Sequence, residues 1–559
     1  MKSVLKRYFL PVIIVFALGT GLGVTIDEWS DEDDTVAQLQ KLEDAYILIN
    51  RQYVEEVDAA SMTHEAILAM LKKLDPHSSY IDAETMRKVG EEYQGTFGGI
   101  GIWFESPQGD TSKVTSTIPD GPSEVAGLMP GDRLVAVDDT SIVGKGSLDI
   151  QDLIKGPIGT KVKITVVRPG VWTPRDFMLT RATIPLYSID AGYMVDATTG
   201  YIRIGRFAMT THQEFMEHVV RLKSQGMEKL VLDLRGNPGG IKQTAVMIAD
   251  EMLDGEGTIV YTKGRVEREN EIDHITPGGL LTKEPVIILV DESTASGSEI
   301  IAGALQDHDR ALIVGRRTFG KGLVQRPFQM RDGSVIQMTV ARYYMPTGRL
   351  IQTSYETGDF EDYYKDKFAD FEEATYDPAK YLSEIPDSLH YKTLHGRDVF
   401  GGGGVMPDAV MAPDSTSALA SPIFQFTIVR GLTSLFASHL FDTEGLQLRE
   451  QWANKQELFN TTFSVDESLW QRYLTYAKEH GLAIGGKSTE ENPTFTQEEL
   501  DTHRGTIEVI IKARLAQRLY RSEAWYPVFN SIDPLIKSVR TMWPDAEELA
   551  KLSQTPRNK

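Results

Sequence analysis

Cysteine is absent from all 559 residues, which removes disulfides, thiol nucleophiles, zinc–thiolate sites and a lipid-modified N-terminal cysteine. Any catalysis must use other groups. Basic residues are also scarce: 58 Lys and Arg stand against 80 Asp and Glu, a formal charge of -22. A chain with that balance is poorly suited to displacing counterions from a phosphate backbone, so nucleic acid is not an expected partner. Among the 11 histidines, "HQEFMEH" sets His212 and His218 six positions apart. That misses the four-residue step of a zinc-binding helix, and neither a metal nor an organic cofactor is expected.

Long apolar runs are missing too, with one exception. Residues 1–24, "MKSVLKRYFLPVIIVFALGTGLGV", place Lys2, Lys6 and Arg7 before an uncharged, largely apolar run from Tyr8 to Val24, the layout of an export signal. A run of about 17 residues is at the lower limit for spanning a bilayer, and no small-x-small cleavage site follows it. The expectation is an uncleaved membrane anchor on an extracytoplasmic, periplasmic or cell-envelope protein.

What is present reads as a multidomain α/β chain, since 41% apolar residues over this length can form several cores. After the signal or anchor segment and linker of 1–33, Leu39, Leu42, Tyr46, Ile49 and Tyr53 recur at three- and four-residue steps, and "EAILAMLKKL" follows, predicting a helical region over 34–88. His77, in the "LDPHSSYI" turn at its end, is weighed as a catalytic candidate and set aside. Between 89 and 185, short strands alternate with glycines, and Val162, Ile164 and Val166 show the period of a half-buried strand. The order of elements, with "GGIGI" opening a strand and "AGLMPGDRLVAVDD" in the middle, resembles a PDZ domain. Gly99, Ile100, Gly101 and Ile102 then fall on that family's carboxylate-binding loop, where bare backbone N–H groups suit an anion and the next strand suits an added peptide. From 186 to 412, apolar strands alternate with helical stretches, as in an α/β core, and 413–559 reads as mainly helical. Packing or homo-oligomerisation is the expected role of the last part.

Two turns of the α/β core place small residues between a strand and a helix: "KLVLDLRGNPGG" and "PVIILVDESTASGSE". Read alone, Ser296 and Glu299 form the Ser-x-x-Glu of a capping box. A serine nucleophile would need a base, and Lys321, between Gly320 and Gly322, has little bulk beside it and could turn inward. Histidine partners remain open on spacing alone, although Ser296 is not in a Gly-x-Ser-x-Gly elbow.

The PDZ-like segment, "DLRGNPGG", "STASGSEI", "GKGLVQ", "MPTGRLIQ" and "GGGGVMPD" occur in that order. Together they resemble the carboxyl-terminal processing, or tail-specific, proteases: PDZ-containing serine peptidases with a Ser/Lys dyad. The resemblance covers roughly 36–412 and makes 186–412 a peptidase core. It implies Ser296 as nucleophile, Lys321 as general base and Gln325 as the residue orienting the lysine. Thr294 and Gly297 are mild departures from the family's pattern. It further implies an oxyanion hole from the Gly297 N–H and one N–H of Gly239 or Gly240. The expected activity is cleavage of proteins with exposed C-terminal tails through an acyl-enzyme. The alternatives are an inactive PDZ adaptor that holds such tails, and a Ser/His hydrolase.

Overall fold

A computed structural model describes residues 32–106, 111–171, 173–355, 360–413, 418–486 and 493–555. The expected anchor lies outside the described residues. Among those described, no helix is long and apolar enough to cross a membrane. The chain divides into two compact units, Met1–Leu74 and Asp75–Lys559.

The first unit contains helices Glu32–Gln52 and Ala59–Leu71. Asp58 caps the second, its carboxylate accepting the Ala60 and Ser61 N–H groups at 2.9 and 3.1 Å, which satisfies donors that the first helical turn leaves over. Tyr46 links the pair by donating to the Ala59 carbonyl at 3.2 Å. Leu39, Leu42, Ile49 and Tyr53, the stripe read from the sequence, are exposed.

The second unit opens on strand Ser79–Ile81, paired with strand Val335–Tyr344, and continues into helix Ala83–Gln94, capped by Asp82 and ended by Gly95 at φ 70°, the left-handed stop that a glycine accepts without a Cβ clash. An antiparallel sheet follows, in the order Ile102–Glu105, Lys113–Thr117, Arg133–Val137, Lys161–Val167, Pro174–Thr180. Val162, Ile164 and Val166 all point into its core with 1% or less exposure, the two-residue period expected of them.

At the centre of the unit is a six-stranded sheet ordered Ile189–Met194, Thr199–Ile204, Lys229–Asp233, Val286–Val290, Leu312–Gly315, Ala409–Val410. All neighbours except the first pair are parallel. Parallel strands are covered on both faces, and Val286–Val290 explains its unbroken apolar run that way. Val286, Ile288 and Val290 pack with helices Thr211–Ser224, Lys242–Asp250 and Gly297–Asp307, whereas Ile287 and Leu289 pack with Ile536, Val539 and Trp543 of helix Pro534–Leu552. The far C-terminal helix therefore completes the core of a sheet that ends more than a hundred residues earlier.

The rest of the C-terminal region has its own core, built from Leu432–Trp452, Glu467–Glu479 and Gln497–Tyr520, with Ile507, Ile511 and Leu515 inside it. It also carries a minimal strand pair, Ala483–Ile484 with Thr494–Phe495. Three ion pairs join it to the antiparallel sheet: Asp442 with Lys113 at 2.7 Å and Arg133 at 3.1 Å, and Glu105 with Arg518 at 2.8 Å. Helix Pro534–Leu552 is the element that fastens this region to the central sheet. Trp543→Ala removes its largest buried side chain, and truncating a buried tryptophan costs ~3–5 kcal/mol. The expected outcome is a loss of that order in denaturant unfolding followed by tryptophan-independent circular dichroism.

Candidate active site

The strand Val286–Val290 ends in a sharp turn that leads into helix Gly297–Asp307, and Ser296 is the residue at the corner. Its backbone has φ 54° and ψ -115°, a region that a residue with a Cβ enters at a cost of ~1–3 kcal/mol unless its surroundings impose it. They do so from two sides. Ala295 N–H and Ser298 Oγ both donate to the Asn237 carbonyl, at 3.0 and 3.1 Å, and Thr294 Oγ1 donates to the Leu234 carbonyl at 3.0 Å. Asn237, in "RGNPGG" and fully buried, spends its own amide on the Ile204 carbonyl at 3.0 Å. The two strand-to-helix turns are thereby stitched together.

Gly239 and Gly240 line the opposite wall. A Cβ on Gly239 would lie 2.7 Å from Ser296 Cβ and 3.0 Å from the Gly297 nitrogen, so only glycine allows this approach. Gly239 N–H is committed to Asn237 Oδ1 at 2.8 Å. A parallel bridge to Phe207 uses the Gly239 carbonyl and the Ile241 N–H, and it leaves the Gly240 N–H without a partner among the described residues. The Gly297 N–H, at the first helical position, is likewise free of an intrahelical acceptor.

The Ser296–Glu299 pair has the capping-box arrangement, with Ser296 N–H donating to Glu299 Oε2 at 2.8 Å. The hydroxyl stands in capping range without a hydrogen bond of full geometry, because the Glu299 N–H goes to the Ser296 carbonyl at 2.9 Å. Glu299 does more than cap. Its fully buried carboxylate also accepts Lys321 N–H at 2.9 Å on Oε2, and Gly320 N–H and Thr318 Oγ1, both at 2.6 Å, on Oε1. Burial pushes this carboxyl above its usual range while the four donors pull it back. Tyr343, 1% exposed, adds a second tie: its hydroxyl lies 2.5 Å from the Lys321 carbonyl and 3.1 Å from the Ser296 carbonyl. Ser296 and Lys321, 25 positions apart in sequence, thus hang on the same carboxylate and the same phenol.

Glycines flank Lys321 because the loop is pressed against its neighbours. A Cβ on Gly320 would meet Thr353 Oγ1 at 2.3 Å, and one on Gly322 would meet the Gln352 nitrogen at 2.9 Å. The Lys321 ammonium is lowered from its ordinary range by burial, with Glu299 and Asp75 opposing in part. Gln325, expected to orient the lysine, donates its side-chain amide to the His77 carbonyl at 2.6 Å. His77 in turn sits among Phe319, Tyr355 and Tyr363, at ring-centroid distances of 6.5, 6.4 and 5.5 Å. Its local turn is held by Asp75, whose carboxylate accepts the His77 and Ser78 N–H groups, both at 2.8 Å.

Asn237, Tyr343, the second role of Glu299 and the closeness of His77 were not read from the sequence. Only Asn237 carried a signal, as a turn former inside a glycine-rich turn. His212 and His218 pair elsewhere, with Glu251 at 3.1 Å and Arg221 at 2.7 Å.

The second expected site lies in the antiparallel domain. Ile100, Gly101, Ile102, Phe104, Ile118 and Ile154 line an apolar groove of about 140 Å³ between strand Ile102–Glu105 and helix Ser147–Ile154. The Ile100 carbonyl accepts Ser123 N–H at 3.0 Å and the Gly101 carbonyl accepts Ile118 N–H at 3.0 Å. Neither the Ile100 nor the Gly101 N–H donates to the backbone of the described residues. Gly99 still belongs to a strand, paired with Ala182.

Residues 198–361 match Peptidase family S41, residues 113–168 match the PDZ domain, and residues 24–85 match the activating protease CtpB N-terminal domain. The chain is 36% identical over 327 residues to a carboxy-terminal-processing protease of Bartonella bacilliformis, spanning 58% of this chain and 74% of that one. It is 34% identical over 363 residues to a carboxyl-terminal-processing protease of Picosynechococcus sp., spanning 62% and 87%. Among solved structures, a photosystem II D1 C-terminal processing protease is 31% identical over 57% of this chain and 85% of its own, with a TM-score of 0.33. The chain belongs to the carboxy-terminal-processing proteases of family S41. It joins an N-terminal helical region, a PDZ domain, an S41 peptidase core and a helical C-terminal region.

Burial first, then the positive charges of Lys321 and Lys367, lower the His77 imidazole from 6.5 to about 4. Folded His77 stays neutral where the unfolded chain takes up a proton, so its contribution is complete above pH ~6.5 and is lost as pH falls toward 4, by ~3 kcal/mol at most. His77→Gln is expected to flatten this part of the stability profile. Urea unfolding at pH 7.5 and pH 5 checks it: the parent loses stability between the two, and the variant loses measurably less.

Proposed function

We propose that the protein is an extracytoplasmic serine endopeptidase that takes substrate C-terminal tails in its PDZ groove and cleaves them with Ser296 and Lys321. The observation that carries the reading is the shared anchorage of these two residues on Glu299 and Tyr343, in a chain of the S41 family. A buried carboxylate that collects four donors from two segments holds the Ser296 and Lys321 main chains beside each other, and such positioning is what proton transfer requires.

In this mechanism, neutral Lys321 takes the Ser296 hydroxyl proton as Oγ attacks the scissile carbonyl. The negative charge on the tetrahedral intermediate is held by the Gly297 and Gly240 N–H groups, Gly239 having spent its own on Asn237. The positive end of helix Gly297–Asp307 adds to this. Lys321 returns the proton to the departing amine, an ester on Ser296 remains, and water, deprotonated by the same lysine, releases it. Gln325 acts through the His77 carbonyl, bracing the wall beside the lysine. In the PDZ groove, the unspent Ile100 and Gly101 N–H groups suit a terminal carboxylate and the apolar walls suit the side chain before it. Retention at the membrane through residues 1–24 belongs to the same reading. So does association of copies, for which the exposed stripe of Leu39, Leu42, Ile49 and Tyr53 is the available surface.

A histidine base is disfavoured by the placement of His77, whose Nε2 faces the Tyr363 hydroxyl at 3.4 Å. Lys321→Ala and Lys321→Arg are both expected to lower kcat/KM on an unfolded protein with an apolar tail by 1000-fold or more, on the order of losing a catalytic base, because guanidinium stays charged. Near-parental turnover in either variant, with loss of turnover in His77→Gln, would transfer the role to histidine. Binding is tested apart from cleavage: with Ser296→Ala protein, a tail peptide should bind at least tenfold more tightly as the acid than as its C-terminal amide. Equal affinities measured calorimetrically would remove carboxylate recognition.

A further inference from the structure

The turn "RGNPGG", which carries the Gly240 N–H, is gripped by residues from the far end of the chain. Arg235 opens the turn, and its guanidinium lies between two carboxylates. Nε and Nη2 donate to Asp233 at 3.0 and 2.7 Å, while Nη1 reaches Asp533 Oδ2 at 2.9 Å. Asp233 is fully buried at the end of strand Lys229–Asp233. Asp533, 5% exposed, caps helix Pro534–Leu552 through its other oxygen, which accepts the Leu535 and Ile536 N–H groups at 2.8 and 3.3 Å. One carboxylate thus starts the last helix and holds the first residue of the turn.

The segment before that helix makes two more contacts at the same place. Asn530 donates to the Tyr193 hydroxyl at 2.8 Å, and the Tyr193 ring lies 5.2 Å from that of Tyr201, whose hydroxyl donates to Asp233 Oδ2 at 2.7 Å. The Tyr526 ring lies 5.6 Å from the guanidinium of Arg203, which pairs with Asp233 at 3.2 Å and donates to the Arg235 carbonyl at 2.8 Å. Arg235 is therefore held by its side chain and by its main chain. The next residue, Gly236, passes the tie onward: its N–H donates to Asp291 Oδ1 at 2.9 Å, and the same oxygen accepts the Ser293 N–H at 3.1 Å in the turn that leads to Ser296.

An ion pair at a helix N-cap can be a local fastening and nothing more, but the chain between Arg235 and Gly240 makes this one consequential. Gly236, Gly239 and Gly240 all have positive φ, at 73°, 98° and 141°, and glycine restrains its own backbone least of all residues. The shape of such a turn depends on what holds its ends. One end is bridged to Phe207; the other is Arg235. Without Asp533, Nη1 of a largely buried guanidinium would face no carboxylate, and Asp233 would be left between two guanidiniums, an imbalance that buried groups relieve by moving. An oxyanion donor tolerates little movement, because it works only within about 2.7–3.1 Å of the developing charge. On the reading of Ser296 as nucleophile and Gly240 as an oxyanion donor, we propose that Asp533 is a positioning residue for catalysis. Through Arg235 it fixes one end of the turn, and with it the Gly240 N–H, while touching neither substrate nor Ser296. The C-terminal region then belongs to the working active site.

Asp533→Asn in the full chain tests this. Asparagine caps a helix as well as aspartate does, but the cap takes its one acceptor oxygen and leaves an amide donor toward Arg235. The expected result on a tail-bearing peptide is kcat lowered about tenfold or more with KM within about twofold, a smaller loss than the ~100- to 1000-fold of deleting a donor outright. A peptide aldehyde, whose carbonyl adds the Ser296 hydroxyl and becomes tetrahedral, should bind more weakly by a similar factor. Arg235→Lys, whose single ammonium cannot serve both carboxylates, should show the same pattern, and it decides the matter if Asp533→Asn does not fold. The double variant should lose little more than either single one, since both break one link. Parental kcat in a folded Asp533→Asn enzyme, additive losses in the double variant, or a fall in kcat with parental aldehyde affinity overturns the inference; the last is what a smaller folded fraction alone would give. Ser296→Ala is run beside them: if it still turns over the peptide the nucleophile assignment fails, whereas a dead Ser296→Ala with an unaltered Asp533→Asn sinks only the role of Asp533.

Discussion

The buried carboxylate of Glu299 is the constraint on which the rest of the site depends. An ionised carboxyl can remain in a protein interior only when its acceptor positions are filled, and here they are filled by donors from two segments that the sequence keeps apart. Ser296 comes from the turn after strand Val286–Val290, while Thr318, Gly320 and Lys321 come from the loop after strand Leu312–Gly315. Leaving any of these donors unmet would cost more than the bond contributes when made. The folded state therefore has little freedom in how far the two segments stand apart. The strained backbone of Ser296 is the local cost of that arrangement, and Asn237 and Tyr343 share in imposing it.

The same logic extends outward. Adjacent parallel strands Val286–Val290 and Leu312–Gly315 deliver their following turns to one end of the central sheet, where the small residues of both glycine-rich turns let backbones approach closely. Apolar packing on the two sheet faces holds those strand ends still. One face is covered by local helices and the other by Pro534–Leu552, so the geometry of the site is supported by residues from the far end of the chain. The C-terminal region also grips the PDZ domain through Asp442 and Arg518, and Glu105, at the end of the strand that borders the peptide groove, is one of the residues it holds. A region without any chemical motif thus touches both the PDZ domain and the central sheet of the peptidase core.

Charge is arranged differently at these two levels. Between domains, the ion pairs are largely buried and each acid has a visible base, so that removing one partner would leave an uncompensated charge. Around Lys321, by contrast, amines and a guanidinium are buried against aromatic rings while the available carboxylate is committed to neutral donors. Buried polar groups of this kind are costly, and their concentration around one loop is what a candidate site looks like.

The sequence by itself determined the class of fold, because periodicity and punctuation are local properties. Alternation in "KVKITVV", the apolar run "PVIILV" and the glycine turns each reported a strand, a buried strand or a strand-to-helix corner without reference to distant residues. The ordered motifs likewise brought Ser296, Lys321 and the glycine turns into view as one family's pattern. Only the tertiary structure decided what these residues touch. The capping box of Ser296 and Glu299 was legible, yet nothing local shows that Glu299 also binds the Lys321 loop. Gln325 was expected at Lys321 and lies against the His77 carbonyl, because a strand residue's partner is chosen by whichever segment crosses it. Lys367 carried no signal at all, since a lysine on a helix is ordinarily solvated. Its burial follows from how Phe360–Tyr376 packs on Phe319, a contact between residues 48 positions apart, and long-range contacts are what pattern along a chain does not encode.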